Sequence, residues 1–518
     1  MSKDKRKRSA HPSGEQPLVE VAALPAPVMV ESWAGPVRVE WDVTAPLTPF
    51  GQLPFFIQFL KVSGLFDAYV ADCPLSYTSP NAPSKRDVLG TVLLSVLAGH
   101  KRYAHITALR ADNVLCELIG MSRVLSEDAV RRALHAIAES EGVLWLQGHL
   151  DYCTAPLFGE PWIMDVDTTI KPLYGKQEGA VVGYNPKKPG RPSHVYHTYM
   201  LANLRLVLDV EVMAGNQHAF NHAAAGLWAL LDRIGRDRWP QFLRGDAGVA
   251  SDALMRECEQ RGLPYLFKLR VTNNVKKALE RAMRDGIWLS AGSGWQGQED
   301  QLKLVGWEKP RRVVLLRRRL KEPIGIHEAN AQGQLQLSFA EVEGNRELWE
   351  YSALVTSLDD EILTLGQLYR DRADCENAFD ELKNQWGWGG FTTHDLARCQ
   401  LAARNVALIY NWWSLFVRLA ESGQHLEAIT SRPLLLASIG ALVRHARQTT
   451  LRVASSHGRA GWAAAALAQI AQFLGTLTNA AERLTPLERR YRILSRALRH
   501  FLKGRQLRAP PRLAKAAV

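Results

Sequence analysis

Apolar residues at helical spacing dominate the first part of the chain after its charged N-terminal segment. Ser84, with Asp87 three residues later, is typical of a helix start, because the Ser side chain can cap the first turn. An apolar stripe continues this helix through Val88, Val92, Leu93 and Leu97. A second helix is predicted over 126–137, with acidic residues in its first turn. Short helices of this kind are typical of a helix-turn-helix DNA reader and equally of a packing domain.

The pattern changes at Pro161 to runs rich in β-branched and aromatic residues, separated by turn signals, which predicts strands. The tight break at Asn203-Leu204 predicts that the second and third strands form an antiparallel hairpin. The predicted elements are strands at 162–167, 194–202 and 205–213, a helix at 218–234, a strand at 241–246, a helix at 251–260 and a strand at 263–269. This order predicts a mixed α/β sheet.

The next part of the chain is again strand-like. Strands are predicted at 311–319, 334–342 and 348–357. Gly292-x-Gly294-x-x-Gly297 has the letters of a dinucleotide fingerprint, but it leads into a strand and not a helix, so we interpret it as a hairpin loop. One long helix is then predicted over 363–385, and an apolar helix over 400–420. The rest of the chain is predicted to be helical and increasingly basic.

Composition and cysteine spacing narrow the class of protein. Of the 518 residues 47% are apolar and 22% charged, as is ordinary for globular domains, and the length allows about two to four of them. The six cysteines are scattered, which argues against a zinc site or a disulfide framework and favours a reducing cytoplasm. Gln469 and Gln472 interrupt the most alanine-rich run, so we expect no membrane span.

Positive charge is concentrated at the two ends of the chain. Residues 1–10 carry a net charge of +4 and residues 482–518 one of +9, so the body between them carries −1 of the total of +12. Basic ends suit a phosphate backbone, whose counterions they release on binding. We therefore expect nucleic acid as a partner, with a solvated tail that only aids solubility as the plain alternative.

Four polar residues on the long predicted helix carry the clearest functional pattern. Tyr369, Arg372, Glu376 and Lys383 fall within an arc of about 60° on an α-helix and so form one stripe. A carboxylate between phosphate-binding groups is what a site that cuts phosphodiesters requires. The plain alternative is a solvated helix surface with ion pairs four residues apart.

Two aspartates near strand ends are candidate partners of Glu376. Asp167 closes the first strand and precedes two threonines, while Asp246 follows Gly245 just past the fourth strand. Glycine at that point permits a close approach of the backbone. Asp165 lies two residues before Asp167 and therefore on the same sheet face, so it remains an alternative first carboxylate.

These motifs resemble those of bacterial insertion-sequence DDE transposases. The helix stripe matches the Y-(2)-R-(3)-E-(6)-K signature of that family, and Asp167 and Asp246 match its first two carboxylates. The resemblance covers about 160–415 and implies a ribonuclease H-like mixed α/β catalytic core, interrupted by a β-rich insertion and flanked by helical domains. The segment 183–217 also resembles the family, without a role that we can assign to it.

The resemblance implies an enzyme that cleaves DNA at transposon ends and transfers the strands into target DNA. It implies two Mg²⁺ ions as cofactors, with Mn²⁺ as a substitute. The implied catalytic residues and metal ligands are Asp167, Asp246 and Glu376. The implied DNA-binding residues are Tyr369, Arg372 and Lys383. The implied partners are double-stranded DNA, as inverted repeats and as target, and a second copy of the chain in a homodimer on DNA at the bacterial nucleoid.

The same patterns predict the domain organisation. The predicted domains are a basic extended arm over 1–50, a helical DNA-binding domain over 51–155, a catalytic core over 156–270 and 356–420, a β-rich insertion over 271–355 and a basic helical region over 421–518. Two other function classes stay open. One is a ribonuclease H-like nuclease or domesticated recombinase with the same chemistry, and the other is a DNA-binding protein whose carboxylates are structural.

Overall fold

The computed structural model describes residues 26–42, 44–320, 349–454, 457–480 and 484–509. The chain falls into two units, one up to Pro46 and one from Leu47 onward. In the first unit the strands β1 (Val28–Ser32) and β2 (Gly35–Val39) pair as an antiparallel hairpin. The part of the predicted arm over 1–25 lies outside the described residues.

Within its described residues, the larger unit contains a mixed sheet of ten strands and a smaller sheet of three. The strands of the large sheet are β4 (Met164–Pro172), β5 (Val181–Val182), β6 (Pro192–Leu201), β7 (Leu206–Ala214), β8 (Leu243–Gly245), β9 (Tyr265–Lys268), β10 (Leu289–Gly292), β11 (Trp295–Leu302), β12 (Arg311–Arg319) and β13 (Trp349–Thr356). The strands of the small sheet are β3 (Leu47–Thr48), β14 (Gly440–His445) and β15 (Gln448–Val453).

One half of the large sheet has the strand order β7-β6-β4-β8-β9. β4 and β7 each pair antiparallel with β6, while β8 runs parallel to β4 and β9 parallel to β8. The tight turn between β6 and β7 holds Asn203 and Arg205 at positive φ. This order and these directions are those of a ribonuclease H-like core, so the predicted mixed α/β fold and the predicted hairpin are confirmed.

The other half of the sheet continues from β9 in the order β13-β12-β11-β10, with every pair antiparallel. The β10–β11 turn holds Gly292, Ser293 and Gly294 at positive φ, which confirms the hairpin-loop interpretation of the glycine motif. These strands extend the sheet of the core, and the boundaries of an insertion over 271–355 stay a prediction. The predicted strand at 334–342 lies outside the described residues.

Helices cover the sheet and build the rest of the larger unit. They are α1 (Leu53–Ser63), α2 (Leu65–Ala71), α3 (Lys85–Leu97), α4 (Ile106–Leu109), α5 (Asn113–Ile119), α6 (Glu127–His135), α7 (Glu139–Thr154), α8 (Ala224–Ile234), α9 (Asp252–Arg261), α10 (Asn273–Asp285), α11 (Ile362–Arg370), α12 (Ala373–Asn384), α13 (Leu396–Ala420), α14 (Ala428–Leu435), α15 (Ala460–Asn479) and α16 (Pro486–Ala497). The Ser84 cap predicted for α3 is present, since its side chain accepts the Asp87 backbone N–H.

The central helix of this unit is α13, which is buried over most of its length. It packs against β7 and α7 and so covers one face of the sheet. Asn411 fixes the helix to the sheet because its side chain accepts the Val207 N–H at 2.9 Å and donates to the Val207 carbonyl at 2.7 Å. This packing also supports the strands β4 and β8, which carry or precede the two aspartates described below.

One helix of the described residues, α15, is by itself long and apolar enough to cross a membrane on length and composition, with 33% of its most apolar stretch buried. α1 and α2 meet the same criteria only as a pair, bent by 68°. α15 packs against α1 and α13, and core helices of soluble proteins commonly meet these criteria. This is weak evidence for a membrane span.

Three secondary-structure predictions are wrong. The single helix over 363–385 is broken between α11 and α12, where the Arg372 N–H bonds to the Tyr369 carbonyl three residues back and tightens the turn. The C-terminal region is not entirely helical, because β14 and β15 form a hairpin whose turn holds Ala446 and Arg447 at positive φ. The helix α10 lies in the stretch predicted to be β-rich, where the sequence pattern indicated no helix.

Candidate active site

Asp167 and Asp246 are brought together by two neighbouring parallel strands. β4 and β8 are in register at Val166 and Gly245, so the next residue on each is one of the two aspartates. Residues opposite each other in this register share a sheet face. A Cβ at Gly245 would lie 2.9 Å from the Val249 side chain, so glycine lets the chain turn directly after β8. The Asp246 carboxylate then accepts the Gly248 N–H at 2.8 Å.

Glu376 reaches the same place from the first turn of α12. The link is Arg372, which lies at the break between α11 and α12 and is 5% exposed. Its guanidinium bonds to the Glu376 carboxylate at 2.9 Å and also to the Asp167 carboxylate. The helix break thus turns Arg372 inward to hold together two carboxylates that are far apart in the sequence.

Burial and charge determine the protonation chemistry of this cluster. Burial raises the pKa of Asp167, as does the nearby Asp246, while Arg372 acts to lower it. Burial acts to lower the pKa of Arg372, but Asp167 and Tyr369 raise it well above its ordinary value, so Arg372 stays charged. Burial also raises the pKa of Tyr369, which keeps its phenol neutral. The result is a buried cation held among carboxylates and a neutral phenol.

Lys383 stands close enough to this cluster to be affected by it. The pKa of Lys383 is lowered to about 8, mainly by burial and also by the neighbouring Lys187, while Asp167 acts to raise it. The helix break at Arg372 leaves Tyr369 on α11, but it does not separate Lys383 from Glu376, because α12 carries both. All six residues predicted for the site therefore lie in one region of the fold.

Asp165, the alternative first carboxylate, has a different partner. It is 1% exposed and forms a two-bond ion pair with Arg244, at 2.6 and 2.8 Å. Arg244 is fully buried and also donates to the Leu368 carbonyl at the end of α11. Asp165 therefore anchors α11 to the sheet through Arg244, whereas Asp167 faces Arg372 and the other carboxylates.

The donor set suits a divalent cation, although its side chains are not arranged as ligands. In the part of the chain that the structure describes, no three His, Cys, Asp or Glu side chains are close enough to hold a metal ion. Arg372 instead bonds to Asp167 and Glu376. Carboxylate oxygens are the ligands that Mg²⁺ prefers. A buried Asp167 whose pKa Asp246 and Glu376 both raise is a place where added positive charge would be stabilised.

Two residues near the site were missed by the sequence reasoning. His218 contacts the Tyr184 ring, and Asp246 acts on its pKa against the lowering effect of burial. Lys187, the second residue, adds to the effect of burial in lowering the pKa of Lys383. Tyr184 and Lys187 lie in the segment 183–217. This segment resembles the family in sequence but contains no motif that predicts a role.

Comparisons with known proteins bear on the family. The family model described as "Transposase DDE domain group 1" matches residues 81–474, which is most of the chain. A search of curated proteins found no match. Among solved structures, the chain is similar to a piggyBac transposase in a synaptic complex with hairpin DNA, at 11% identity, a TM-score of 0.35 and coverage of 87% of this chain and 86% of that one. A likeness at this TM-score carries no argument about the site. The extent of the family match shows that the chain belongs to the transposases with a group 1 DDE domain and is an enzyme that acts on DNA.

Proposed function

We propose that Asp167, Asp246 and Glu376 are the catalytic carboxylates of this transposase and that they hold two Mg²⁺ ions, or Mn²⁺ in their place. The observation that carries the proposal is the meeting of these residues, from β4, β8 and α12, around Arg372 on one face of the sheet. Members of this family depend on a metal, and the nature and number of the ions are part of the proposal.

The bound ions would activate a water molecule and stabilise the leaving oxygen of a phosphodiester. The chain's own residues supply the rest of the site. Asp165 and Arg244 fix α11 against β4, so the carboxylates keep their spacing while DNA enters. Arg372 neutralises Asp167 and Glu376 in the arrangement described here. When these two carboxylates bind other partners, its guanidinium binds a DNA phosphate instead.

Tyr369 and Lys383 complete the proposed DNA contacts. The partly buried Tyr369 phenol is neutral near pH 7, since burial raises its pKa, and it serves as a hydrogen-bond donor. Lys383 places a positive charge beside the carboxylates as long as the pH stays below its pKa of about 8. Together with Arg372 these groups would hold the strand in line with the attacking oxygen.

The partners proposed are the inverted repeats at the two transposon ends and a target duplex, bound by a homodimer. A bacterial insertion-sequence origin, the signature-helix class and action at the nucleoid in the cytoplasm belong to the same proposal. The support is the family match together with the predicted basic ends of the chain.

The test is a cleavage and joining assay with the full chain. The substrate is a duplex that carries the terminal repeats flanking the gene, incubated with Mg²⁺ and in parallel with Ca²⁺. We expect nicks that end in a 3′-hydroxyl with Mg²⁺ only, followed by products joined to a second duplex. Cleavage without joined products would indicate a nuclease. The catalytic proposal would be refuted if Mg²⁺ gave no 3′-hydroxyl ends, or if an Asp246→Asn variant cut as fast as the wild type.

A further inference from the structure

The loop over 183–191 has no role in the proposed site, although it lies beside it. It connects β5 to β6, whose register pairs Val182 with Pro192, so the loop closes a hairpin at the edge of the sheet. Three of its residues are exposed cations, namely Lys187, Lys188 and Arg191. A cationic loop beside a carboxylate site is a candidate contact for the polyanion on which this enzyme acts.

The charge of this region is not balanced by nearby acids on the same segment. Over 174–191 the chain has four Lys or Arg residues and one acid, Glu178. The Glu178 carboxylate is engaged elsewhere, since it accepts the Leu396 N–H at the start of α13 at 3.0 Å. The body of the chain outside its basic ends is close to neutral, so this loop is a local positive excess.

A chain of contacts places the loop beside the proposed carboxylates. The Tyr184 ring lies 4.7 Å from the ring of His218, whose pKa burial lowers and Asp246 raises. Directly before His218, the Gln217 carbonyl bonds to the His197 ring at 2.8 Å, and the other nitrogen of that ring lies 3.0 Å from the hydroxyl of Thr168, the residue after Asp167. The loop therefore borders the cluster on the side of both aspartates.

The backbone of the loop is held in place before any ligand binds. Asn185 is buried and its side-chain oxygen accepts the Lys188 N–H at 3.1 Å, while the Arg191 N–H bonds to the Lys188 carbonyl at 3.1 Å. A Cβ at Gly183 would lie 1.9 Å from the Gly215 carbonyl oxygen, so these two backbones touch. A preformed loop loses less conformational entropy on binding than a flexible one.

We infer that the loop over 183–191 binds the phosphodiester backbone of the DNA strand next to the carboxylates, with Lys187, Lys188 and Arg191 on its phosphates. The inference rests on the proposed function of the carboxylates. Tyr184 is 54% exposed, and its free face is available to a nucleotide of the same strand. The alternative is that lysine and proline only protect an exposed sheet edge from pairing.

The first experiment measures the salt dependence of DNA binding by the full chain. Fluorescence anisotropy would follow a labelled duplex carrying the flanking repeats, and its single strand, between about 50 and 200 mM salt. The variant is Lys187→Gln/Lys188→Gln/Arg191→Gln. The charge-matched control is Lys277→Gln/Arg281→Gln/Arg284→Gln, whose three exposed cations lie on α10. α10 packs on the sheet face opposite α11.

Three lost phosphate contacts would reduce the slope of log affinity against log salt by about 2.7 on a duplex, or about 2.1 on a single strand. We expect this change for the loop variant and a smaller one for the α10 control. If the loop variant kept the wild-type slope of log affinity against log salt and differed only by aggregating, the role of the loop would be to protect the sheet edge. That result would overturn the inference.

The second experiment locates the loop on the DNA. We expect p-azidophenylalanine introduced at Tyr184 to crosslink, on illumination, to nucleotides adjoining the bond that the wild type cuts. Crosslinks far from that bond, or none in a variant that still cuts, would overturn the inference while leaving the proposed function standing. A wild-type chain that neither cuts nor joins the flanking repeats would overturn both.

Discussion

Replacement of Asp165 by Asn separates the structural carboxylate from its catalytic neighbour. Arg244 is fully buried and donates two hydrogen bonds to the Asp165 carboxylate, at 2.6 and 2.8 Å. A neutral Asn leaves this guanidinium charge buried without a counter-charge, which costs about 3–5 kcal/mol. Against a total stability of about 5–15 kcal/mol, we expect Asp165→Asn to fold poorly or to unfold at much lower denaturant.

The assay is urea unfolding followed by tryptophan fluorescence, with cleavage measured on the fraction that folds. The matched control is Asp167→Asn, two residues away on the same strand face, for which we expect a loss of only about 1–2 kcal/mol, because Arg372 keeps its bond to Glu376. The double variant Asp165→Leu/Arg244→Met removes both charges. It should recover most of the lost free energy of unfolding, since apolar residues can often replace a buried ion pair.

Two results would contradict the structural role of Asp165. One is an Asp165→Asn variant whose free energy of unfolding lies within about 1 kcal/mol of the wild type. Breaking a buried ion pair should lower that free energy by more. The other is an Asp165→Asn variant that folds as stably as the wild type and does not cut DNA, while Asp167→Asn still cuts. In that case Asp165 would be the first catalytic carboxylate.

Further predictions concern charge and close packing. The affinity for DNA should fall as the pH rises from 7 to 9, because burial lowers the pKa of Lys383 to about 8, and Lys383→Arg should flatten this decline in anisotropy titrations. Glu381→Gln should cost about 2–3 kcal/mol in urea unfolding at pH 7, since the buried carboxylate bonds to His425. The pKa of Glu381 is lowered below 4.5, so its contribution should shrink as the pH falls below that value. Gly390→Ala should lower the melting temperature, because a Cβ there would lie 1.7 Å from the Lys101 carbonyl oxygen.

The arrangement of the strands could be predicted from local patterns. Runs of β-branched residues between turn signals indicate strands wherever they lie, and the order of strands and helices restricts the sheet to few topologies. The sequence predicts Asp167 at the end of the first strand and Asp246 just past the fourth. Asp246 does follow β8 directly, but β4 continues to Pro172, so Asp167 lies within its strand and that part of the prediction is wrong. The register of β4 and β8 at Val166 and Gly245 still places the two aspartates at neighbouring positions.

The sequence could not distinguish Asp165 from Asp167 as the first carboxylate, because residues two positions apart on a strand lie on the same sheet face. What distinguishes them in the structure is a partner 79 residues away, Arg244, which binds Asp165. The helix break at Arg372 was missed for the same kind of reason. Helical periodicity is local, whereas Arg372 is turned inward by Asp167, 205 residues away in the chain.

The hairpin of β14 and β15 shows a different limit. The sequence between 440 and 453 is basic and contains no Asn-Gly or Asp-Gly pair, so the usual signal of a tight hairpin turn is absent. Ala446 and Arg447 nevertheless take up positive φ. The small sheet that β14 forms with β3 joins parts of the chain far apart in sequence, and this pairing supports a turn that local propensity disfavours.

The most direct test of the central claim is the single-turnover rate of Mg²⁺-dependent strand cleavage in Asp167→Asn, Asp246→Asn and Glu376→Gln, at protein concentrations that saturate DNA binding. Each carboxylate is expected to contribute several kcal/mol to the transition state through the metal, and about 4 kcal/mol corresponds to a rate about 1,000-fold lower. We predict a loss of at least this order in all three variants, with DNA still bound. A variant of any one of the three that cuts within about tenfold of the wild-type rate would contradict it.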